Sequence, residues 1–280
     1  MIRTLISMED NVYQFWQAQL LADTFHQARQ PGVLTRLVSV SNSQPVRRID
    51  GVETIITRAY SPDPRSGDSY PAYNKPGSIC EWLDQDPGDD DETVMIIDPD
   101  FVFVGQMLLE PEHGRPLSEP ISYMQWNLPD SQVVLNRHCR VAHDKVPAVG
   151  VPNLIRRGDL RTMAPRWYEL TRQLRDDSVT RATLDWICEM WAYSIASAEV
   201  GLEHVCQPLG HFQHHTELRL PLIHYCYHSQ SQDKSWRWTK REYVAWTKPA
   251  PCPLDTTIVE QRLAALVEAA AAKHGFKRVT

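Results

Sequence analysis

Apolar positions along this chain change period several times, and the changes mark its elements. Ile2 to Ile6 is an apolar run suited to a first strand. Ser7-Met8-Glu9-Asp10 has the spacing of a capping box. Val12, Trp16 and Leu20 then recur every fourth residue, which predicts a helix ending near Gln30-Pro31-Gly32. Leu34 to Val40 predicts a second strand and Glu53 to Thr57 a third. Ser61 to Tyr73, rich in Pro, Gly, Ser and Asp, reads as a loop. Lys75-Pro76-Gly77 opens a short helix through Trp82 and Leu83. The acidic, turn-rich stretch Asp84 to Glu92 leads into a buried strand, Val94 to Ile97. Pro120 to Trp126 reads as another strand, and Arg161 to Leu174 as an amphipathic helix with Met163, Trp167, Leu170 and Leu174 on one side. Thr180 to Gly201 is the clearest helix on this pattern, with Leu184, Ile187, Cys188, Trp191, Ile195 and Ala198 as its stripe and Gly201 as its stop. Pro221 to Tyr227 predicts a late strand, and Ile258 to Lys273 a terminal helix.

The alternation of strand and helix through residue 100 is that of an α/β nucleotide-binding fold. No Gly-x-Gly-x-x-Gly and no phosphate-loop Gly-Lys-Ser/Thr interrupts it, which speaks against a Rossmann dehydrogenase or a P-loop enzyme. With 280 residues, 42% of them hydrophobic, and no repeat or linker, a single domain over 1–280 is expected, with 248–280 as a C-terminal helical extension. A net charge of -6 argues against a whole-surface nucleic-acid binder but leaves room for a local basic patch. The six cysteines form no Cys-x-x-Cys pair, so a zinc ribbon is disfavoured and reduced thiols are expected. The start, Met1-Ile2-Arg3-Thr4-Leu5-Ile6-Ser7, is too short and too soon polar for a signal peptide, and no run reaches the ~18 apolar residues of a membrane span. A soluble, cytoplasmic protein without a membrane partner is the expectation.

Candidate chemistry begins where the buried strand ends, at Asp98-Pro99-Asp100. Ligands of open α/β sheets sit beyond the carboxyl ends of strands. Two hard oxygen donors there suit a divalent cation holding a diphosphate, although Asp-x-Asp is also common in plain turns. Asp185 and Glu189 lie four apart, on one face of a continuous helix. Glu189 is the better functional candidate, because Trp186, Met190 and Trp191 crowd it and a buried carboxylate needs a polar partner. His224 in Leu222-Ile223-His224-Tyr225 is either a satisfied core histidine or a third metal ligand. Lys75, in a turn before a helix, is a phosphate or sugar contact or else a solvated lysine. Trp236-Arg237-Trp238-Thr239-Lys240-Arg241 interleaves rings and cations, as stacking on a base or sugar with a phosphate contact would require, or forms an amphipathic strand edge. His211, His214 and His215 crowd one short stretch, but no Cys pair or His-Glu-x-x-His accompanies them, and an ordinary loop is expected.

Several stretches in order resemble one family: Gln14-Phe15-Trp16-Gln17-Ala18, Gln30-Pro31-Gly32 and Thr35-Arg36-Leu37-Val38-Ser39, then Tyr70-Pro71-Ala72-Tyr73-Asn74-Lys75-Pro76-Gly77-Ser78-Ile79 and Glu81-Trp82-Leu83. Ile96-Ile97-Asp98-Pro99-Asp100, Glu189-Met190-Trp191-Ala192-Tyr193, Ala196-Ser197-Ala198-Glu199 and Leu222-Ile223-His224-Tyr225 complete the set. From about residue 1 to residue 245 the chain is similar to the plant and algal hydroxyproline O-arabinosyltransferases and peptidyl serine α-galactosyltransferases. The resemblance implies a GT-A-like nucleotide-sugar-binding α/β fold, a single mixed sheet flanked by helices, and a retaining glycosyltransferase. It implies metal ligation by Asp98, Asp100 and His224 and donor contacts from Asn74 and Lys75 in the Asn-Lys-Pro-Gly segment. Glu189 falls in the family's Glu-Met-Trp segment. The plant proteins travel the secretory pathway behind a leader or anchor, and neither is evident here, so the acceptor expectation widens beyond wall glycoproteins.

Together these readings lead to a metal-dependent glycosyltransferase using Mn²⁺ or Mg²⁺ and a nucleotide-sugar donor, UDP-linked by expectation. The acceptor is a hydroxyl group of a peptide, a small molecule or modified DNA. Asp98, Asp100 and His224 are the expected metal ligands, Lys75, Asn74, Trp238 and Lys240 the donor-binding residues, and Glu189, with Asp185, the catalytic candidates. The competing readings are a glycoside hydrolase, which needs no nucleotide, a glycosyltransferase acting on a hydroxymethylated DNA base, and a non-catalytic sugar-binding protein.

Overall fold

The computed structural model describes residues 1–41, 45–242, 253 and 255–275. Cys252 and the stretch from 243 to 252 lie outside the described residues. The chain runs β1 (Ile2–Glu9), α1 (Val12–Gln27), β2 (Val33–Val40), β3 (Glu53–Arg58), α2 (Asn74–Gln85), β4 (Thr93–Ile97), β5 (Phe101–Phe103), β6 (Leu117–Pro120), α3 (Pro129–His138) and β7 (Val149–Arg156). It continues through α4 (Arg157–Asp176), α5 (Ser178–Leu184), α6 (Cys188–Glu199), β8 (Val205–Cys206), β9 (Gly210–Phe212), β10 (Leu222–His224), β11 (Ser229–Gln230), β12 (Arg237–Trp238) and α7 (Ile258–His274).

Seven strands form a mixed sheet in the order β3-β2-β1-β4-β7-β6-β8. β1 pairs in parallel with both β2 and β4, while β7 is antiparallel to β4 and β6. Every residue of β4 is buried, as expected for a central strand covered on both faces. Alternate side chains of β1 show why. Ile2, Ile6 and Met8 pack with Ala18, Leu21 and Phe25 of α1, while Leu5 joins Trp82 of α2, Trp167 of α4 and Trp191 of α6 on the other face. The strand order reverses direction between β1 and β4, so a crevice opens at the carboxyl ends of these two neighbours. Glu9 ends β1, and Asp98 follows the last residue of β4.

A second, three-stranded sheet, β5-β10-β9, caps that crevice. Its register sets His224 opposite Phe101, one residue from Asp100. The C-terminal helix α7 has a true capping box between Thr257 and Glu260. It packs Val259, Leu263, Leu266 and Val267 against Trp16 and Leu20 of α1. Near its far end, Lys273 and His274 both reach Asp23 on α1, at 2.5 and 2.8 Å. Among the described residues no helix is long and apolar enough to cross a membrane, and all five cysteines are free.

Four expectations need correction. β1 continues through Ser7-Met8-Glu9, and α1 is capped by Asn11, whose side chain accepts from the Gln14 amide at 2.8 Å. The strand expected over Pro120 to Trp126 ends at Pro120 and gives way to a 3-10 turn, Ser122–Met124. Its apolar residues misled, because Tyr123 and Trp126 are exposed rather than core. The long helix expected from Thr180 is broken. Asp185 takes φ 45°, and a 3-10 turn, Asp185–Ile187, separates α5 from α6. β7 was not foreseen, because Gly150 and Pro152 interrupt its pattern. The ladder to β6 shifts register there, with Ser118 opposite Asn153 and Glu119 opposite Gly150, so the proline sits in a bulge.

Candidate active site

The crevice is a cavity of about 550 Å³. Its walls come from the ends of β1 and β4, the start of α2, the α5–α6 break with α6, β7, and the segments around His224 and Lys240. Asp98 and Asp100 enter it from the turn after β4, and His224 arrives from β10 because that strand pairs with β5 immediately after the turn. One ligand atom from each of the three lies within 4.8 Å of the others. Two carboxylate oxygens and an imidazole nitrogen over that span suit one divalent ion with bonds of ~2.0–2.6 Å. The residues present therefore fit a divalent cation.

The charges in the cavity are paired across it. The His224 Nε2 lies 3.3 Å from Asp100 Oδ2, and the Lys240 ammonium contacts the same oxygen. Phe101 stacks on the imidazole with centroids 4.2 Å apart and planes 15° apart, which fixes the ring's orientation. Burial would favour the neutral form of Asp100, but Lys240 and His224 outweigh it and hold the carboxyl well below its usual range. Burial likewise disfavours the imidazolium of His224, yet the Asp100 carboxylate pushes the ring up to about 10. Ligation of a cation would therefore displace a proton from His224 and the Lys240 ammonium from Asp100.

On the other side, Lys75 from the first turn of α2 bridges Asp98 Oδ1 at 2.7 Å and Glu189 Oε2 at 3.4 Å. Burial works against its charge, but the two carboxylates hold the ammonium above the usual lysine range. Burial raises the Glu189 carboxyl, and Lys75 offsets part of that rise. Glu189 is 5% exposed and lines the cavity. Asn74 also lines the cavity, but its amide is engaged by protein: it accepts from the Tyr60 amide at 2.8 Å and donates to Glu9 Oε1 at 2.9 Å. It thereby orients Glu9, a carboxylate that the assumed capping box had placed outside the site.

Two expected site residues lie elsewhere. Asp185 is exposed outside the cavity, because the helix break removes it from the face of Glu189. Trp238 is buried against Tyr225, Val259 and Leu263 beneath α7, so the Trp236 to Arg241 segment sends Lys240 and Arg241, not Trp238, to the cavity. The histidine cluster is not the ordinary loop expected throughout, because His211 lies in β9, paired with Ile223 of β10. His211 Nε2 accepts from the amides of Arg219 and Leu220 at 2.8 and 2.7 Å, and His215 Nδ1 accepts from the amide of Phe212 at 3.3 Å.

Sequence reasoning overlooked Tyr70. Its hydroxyl donates to the Trp186 carbonyl at 2.5 Å and accepts from the Glu189 amide at 3.1 Å. It also overlooked Asn153 on β7, whose buried side-chain oxygen has no hydrogen-bond partner among the described residues and lines the cavity. Only the neighbourhood of Tyr70 carried a signal, through its place beside the Asn-Lys-Pro-Gly segment.

Fold and cavity together define an α/β protein whose ligand site lies at the switch point of its parallel strands, with a cation-competent carboxylate pair. Residues 2–206 match the family model of the hydroxyproline O-arabinosyltransferase family N-terminal domain, and the chain belongs to that family. A peptidyl serine alpha-galactosyltransferase of Arabidopsis thaliana is 32% identical over 219 residues, covering 72% of this chain and 27% of that protein. The chain thus spans about a quarter of that relative's length. Hydroxyproline O-arabinosyltransferase RDN2 of Medicago truncatula is 22% identical over 285 residues, covering 94% of this chain and 77% of its own. Among solved structures, the galactosyltransferase LgtC in complex with donor and acceptor sugar analogues is similar over 95% of each chain, at 11% identity and a TM-score of 0.49.

Proposed function

We propose that this chain is a metal-dependent glycosyltransferase of GT-A-like fold that moves a sugar from a nucleotide-sugar donor, UDP-linked, to the hydroxyl of hydroxyproline or serine in a peptide. The observation that carries the reading is the convergence of Asp98, Asp100 and His224 beside the Lys75–Glu189 pair in one cavity. Membership of the family supports it. In this reading Asp98, Asp100 and His224 hold Mn²⁺ or Mg²⁺. When bound, the cation supplies positive charge opposite the departing diphosphate.

The chain's own residues do the rest. Lys75 stays charged and keeps Asp98 and Glu189 in place. Lys240, once parted from Asp100, is a cation available to a phosphate. Glu189 places negative charge where the sugar becomes positive, an electrostatic role aimed at the transition state. Its engagement by Lys75 makes it a poor nucleophile, which favours same-face substitution. The acceptor oxygen bonds to the anomeric carbon as the bond to the phosphate oxygen breaks, and that phosphate oxygen takes the acceptor's proton. The configuration is retained.

A panel of nucleotide sugars incubated with the protein and Mn²⁺ tests this, because slow donor hydrolysis needs no acceptor. Hydrolysis of a UDP-sugar that stops on chelation is the expected result. No hydrolysis of any donor, with or without metal, would overturn the reading.

A further inference from the structure

Glu189 is held at three points, and one hold comes from a residue outside the cavity. Lys75 meets its carboxylate at 3.4 Å, and the Trp167 indole donates to its carbonyl at 3.1 Å. The third hold is on its amide. Glu189 stands in the first turn of α6, where backbone N–H groups have no partner inside the helix. Ile187, in the capping position, offers no side-chain hydrogen bond. The hydroxyl of Tyr70, 119 residues earlier in the chain, serves instead and accepts from the Glu189 amide at 3.1 Å.

The same hydroxyl donates its one proton to the Trp186 carbonyl at 2.5 Å, so it ties the break between α5 and α6 to the start of α6. The break is not a conformation that its own residues favour. Asp185 has φ 45° and ψ −112°, near the ~+60° and ~−120° of the first central position of a type II′ turn, which suits glycine. A non-glycine residue stays in such a region only where its surroundings over-determine it. Tyr70 is equipped to do so, because it is buried and fixed in its turn. Arg175 lies over its ring at 4.5 Å, and Asp68 holds that guanidinium at 2.8 and 2.9 Å. Among the described residues that line the cavity, Lys75 is present and Tyr70 is not.

We propose that Tyr70 is a positioning residue for the reaction, whose hydroxyl holds the α5–α6 break so that Glu189 presents its carboxylate to the cavity beside Lys75. The proposal rests on the glycosyltransferase reading and adds to it a residue that touches neither metal nor donor. One segment, from Tyr70 to Lys75, then holds both the main chain and the side chain of Glu189. Lys75 alone does not fix the carboxylate, because a helix end without a cap frays and carries its side chains with it. Without the hydroxyl the buried Glu189 amide loses its partner, and the backbone must move to find another. A misplacement of about 1 Å is enough to cost ~10² in rate.

Metal-dependent hydrolysis of the UDP-sugar that the donor panel selects, measured well below the melting range, tests the proposal. Tyr70→Phe removes only the hydroxyl and should lower kcat by about 10–100-fold. The donor KM and the Mn²⁺-dependent affinity for UDP should be unchanged, which excludes a general loss of fold. Two double variants separate positioning from mere support. Adding Tyr70→Phe to Glu189→Gln should cost less than about twofold more, because the hydroxyl acts through a carboxylate already removed. Adding Asp185→Gly to Tyr70→Phe should restore most of the lost rate, since glycine accepts the φ of the break without help. Hydrogen exchange of the amides from 185 to 190 should follow the same order, faster in Tyr70→Phe and slowed again by the glycine. Wild-type kcat in Tyr70→Phe overturns the proposal, and so does a loss that adds to that of Glu189→Gln or that the glycine leaves uncorrected. A wild type that hydrolyses no donor sinks the glycosyltransferase reading alone. Exchange then decides whether Tyr70 holds the break, and unchanged exchange in Tyr70→Phe shows that it does not.

Discussion

The two edges of the main sheet are both charged, and they are built to opposite ends. At the edge where β1, β2, β3 and β4 begin, an ion-pair chain runs across the strands. Arg157 bonds Glu92 at 2.8 Å and Asp86 at 3.0 Å, Glu92 takes Arg3 at 3.0 Å, and Arg3 reaches Glu53 at 2.5 Å. Arg157 is 1% exposed and lies over the Trp82 ring at 4.4 Å. Even the neighbouring Gly88 is fitted to it, since φ is +48° and an added Cβ would lie 2.0 Å from the guanidinium. The edge is closed. At the other edge, where β1 and β4 end, a comparable set of charges surrounds an open cavity. There the Lys240 ammonium sits on Asp100, and the buried side-chain oxygen of Asn153 has no hydrogen-bond partner among the described residues. Charge alone does not mark a site. Charge that is paired in a way a ligand can exchange does.

If this contrast is right, substitutions at the two edges should separate activity from stability. The largest loss of activity is expected from Asp100→Asn, which removes a ligand and the partner of both His224 and Lys240. Metal-dependent donor hydrolysis, measured well below the melting range, should fall by ~10³ or more, a loss beyond the stability cost of leaving Lys240 and His224 without their buried partner. Near-normal hydrolysis in that variant would take Asp100 out of the metal site.

The opposite edge should show the reverse. Arg157→Ala removes a buried guanidinium and its packing over Trp82 and leaves Glu92 with Arg3 as its remaining partner, a change that costs ~0.5–3 kcal/mol of stability. Denaturant unfolding should show that loss. Turnover measured well below the melting range should stay within about twofold, as expected for a residue outside the cavity. A variant of normal stability but crippled turnover would mean that this edge is not merely structural.

Much of this contrast was readable in the residues, and the unread part has physical causes. The run Val94 to Ile97 and the carboxylates after it are local features, and a buried strand ending in polar groups reads the same before folding as after. His224 could be named as a candidate but not placed, because its position depends on β10 pairing with β5 more than a hundred residues away. The break at Asp185 left no trace, since a helical stripe crosses it and the hydroxyl that imposes it belongs to Tyr70 in a distant loop. The exposed aromatic positions were misread for a related reason: Tyr123, Trp126 and Trp186 look like core in a pattern of apolar positions, and only the tertiary structure turns them outward. Trp238 failed the other way, being assigned to ligand stacking when α7 buries it. Arg157 and Glu92 went unremarked because ordinary charged residues carry no signal of burial.

Within the open edge, Glu189 and Asp185 give a finer comparison. Glu189→Gln keeps the shape and removes the charge, and loss of one such preorganised group costs ~10²–10³ in kcat. Metal-dependent UDP binding should be nearly unchanged. Asp185→Asn, outside the cavity, should alter kcat by less than about threefold, as for a surface substitution. Steady-state rates with a fixed donor decide the matter, and the reverse ranking would move the catalytic charge to Asp185.

The smallest effect expected concerns Lys240, and it bears on whether the open edge can exchange its partners. Lys240 contacts the oxygen of Asp100 that the proposed metal ion would also need. Its ammonium is held in the charged form, because burial, which opposes the charge, is outweighed by Asp100. Lys240→Met keeps the length of the stem and removes the competitor, so Mn²⁺ alone should bind more tightly, by about tenfold if parting this ion pair costs ~1.4 kcal/mol. With UDP present the sign should change. A cation parted from Asp100 is available to the diphosphate, so the variant should bind metal and UDP together more weakly than the wild type. Titration of Mn²⁺ with and without UDP measures both. Opposite signs are what a swap between ammonium and metal requires. Weaker binding in both titrations would instead show that Lys240 only braces Asp100, in the same closed manner as Arg157 braces Glu92.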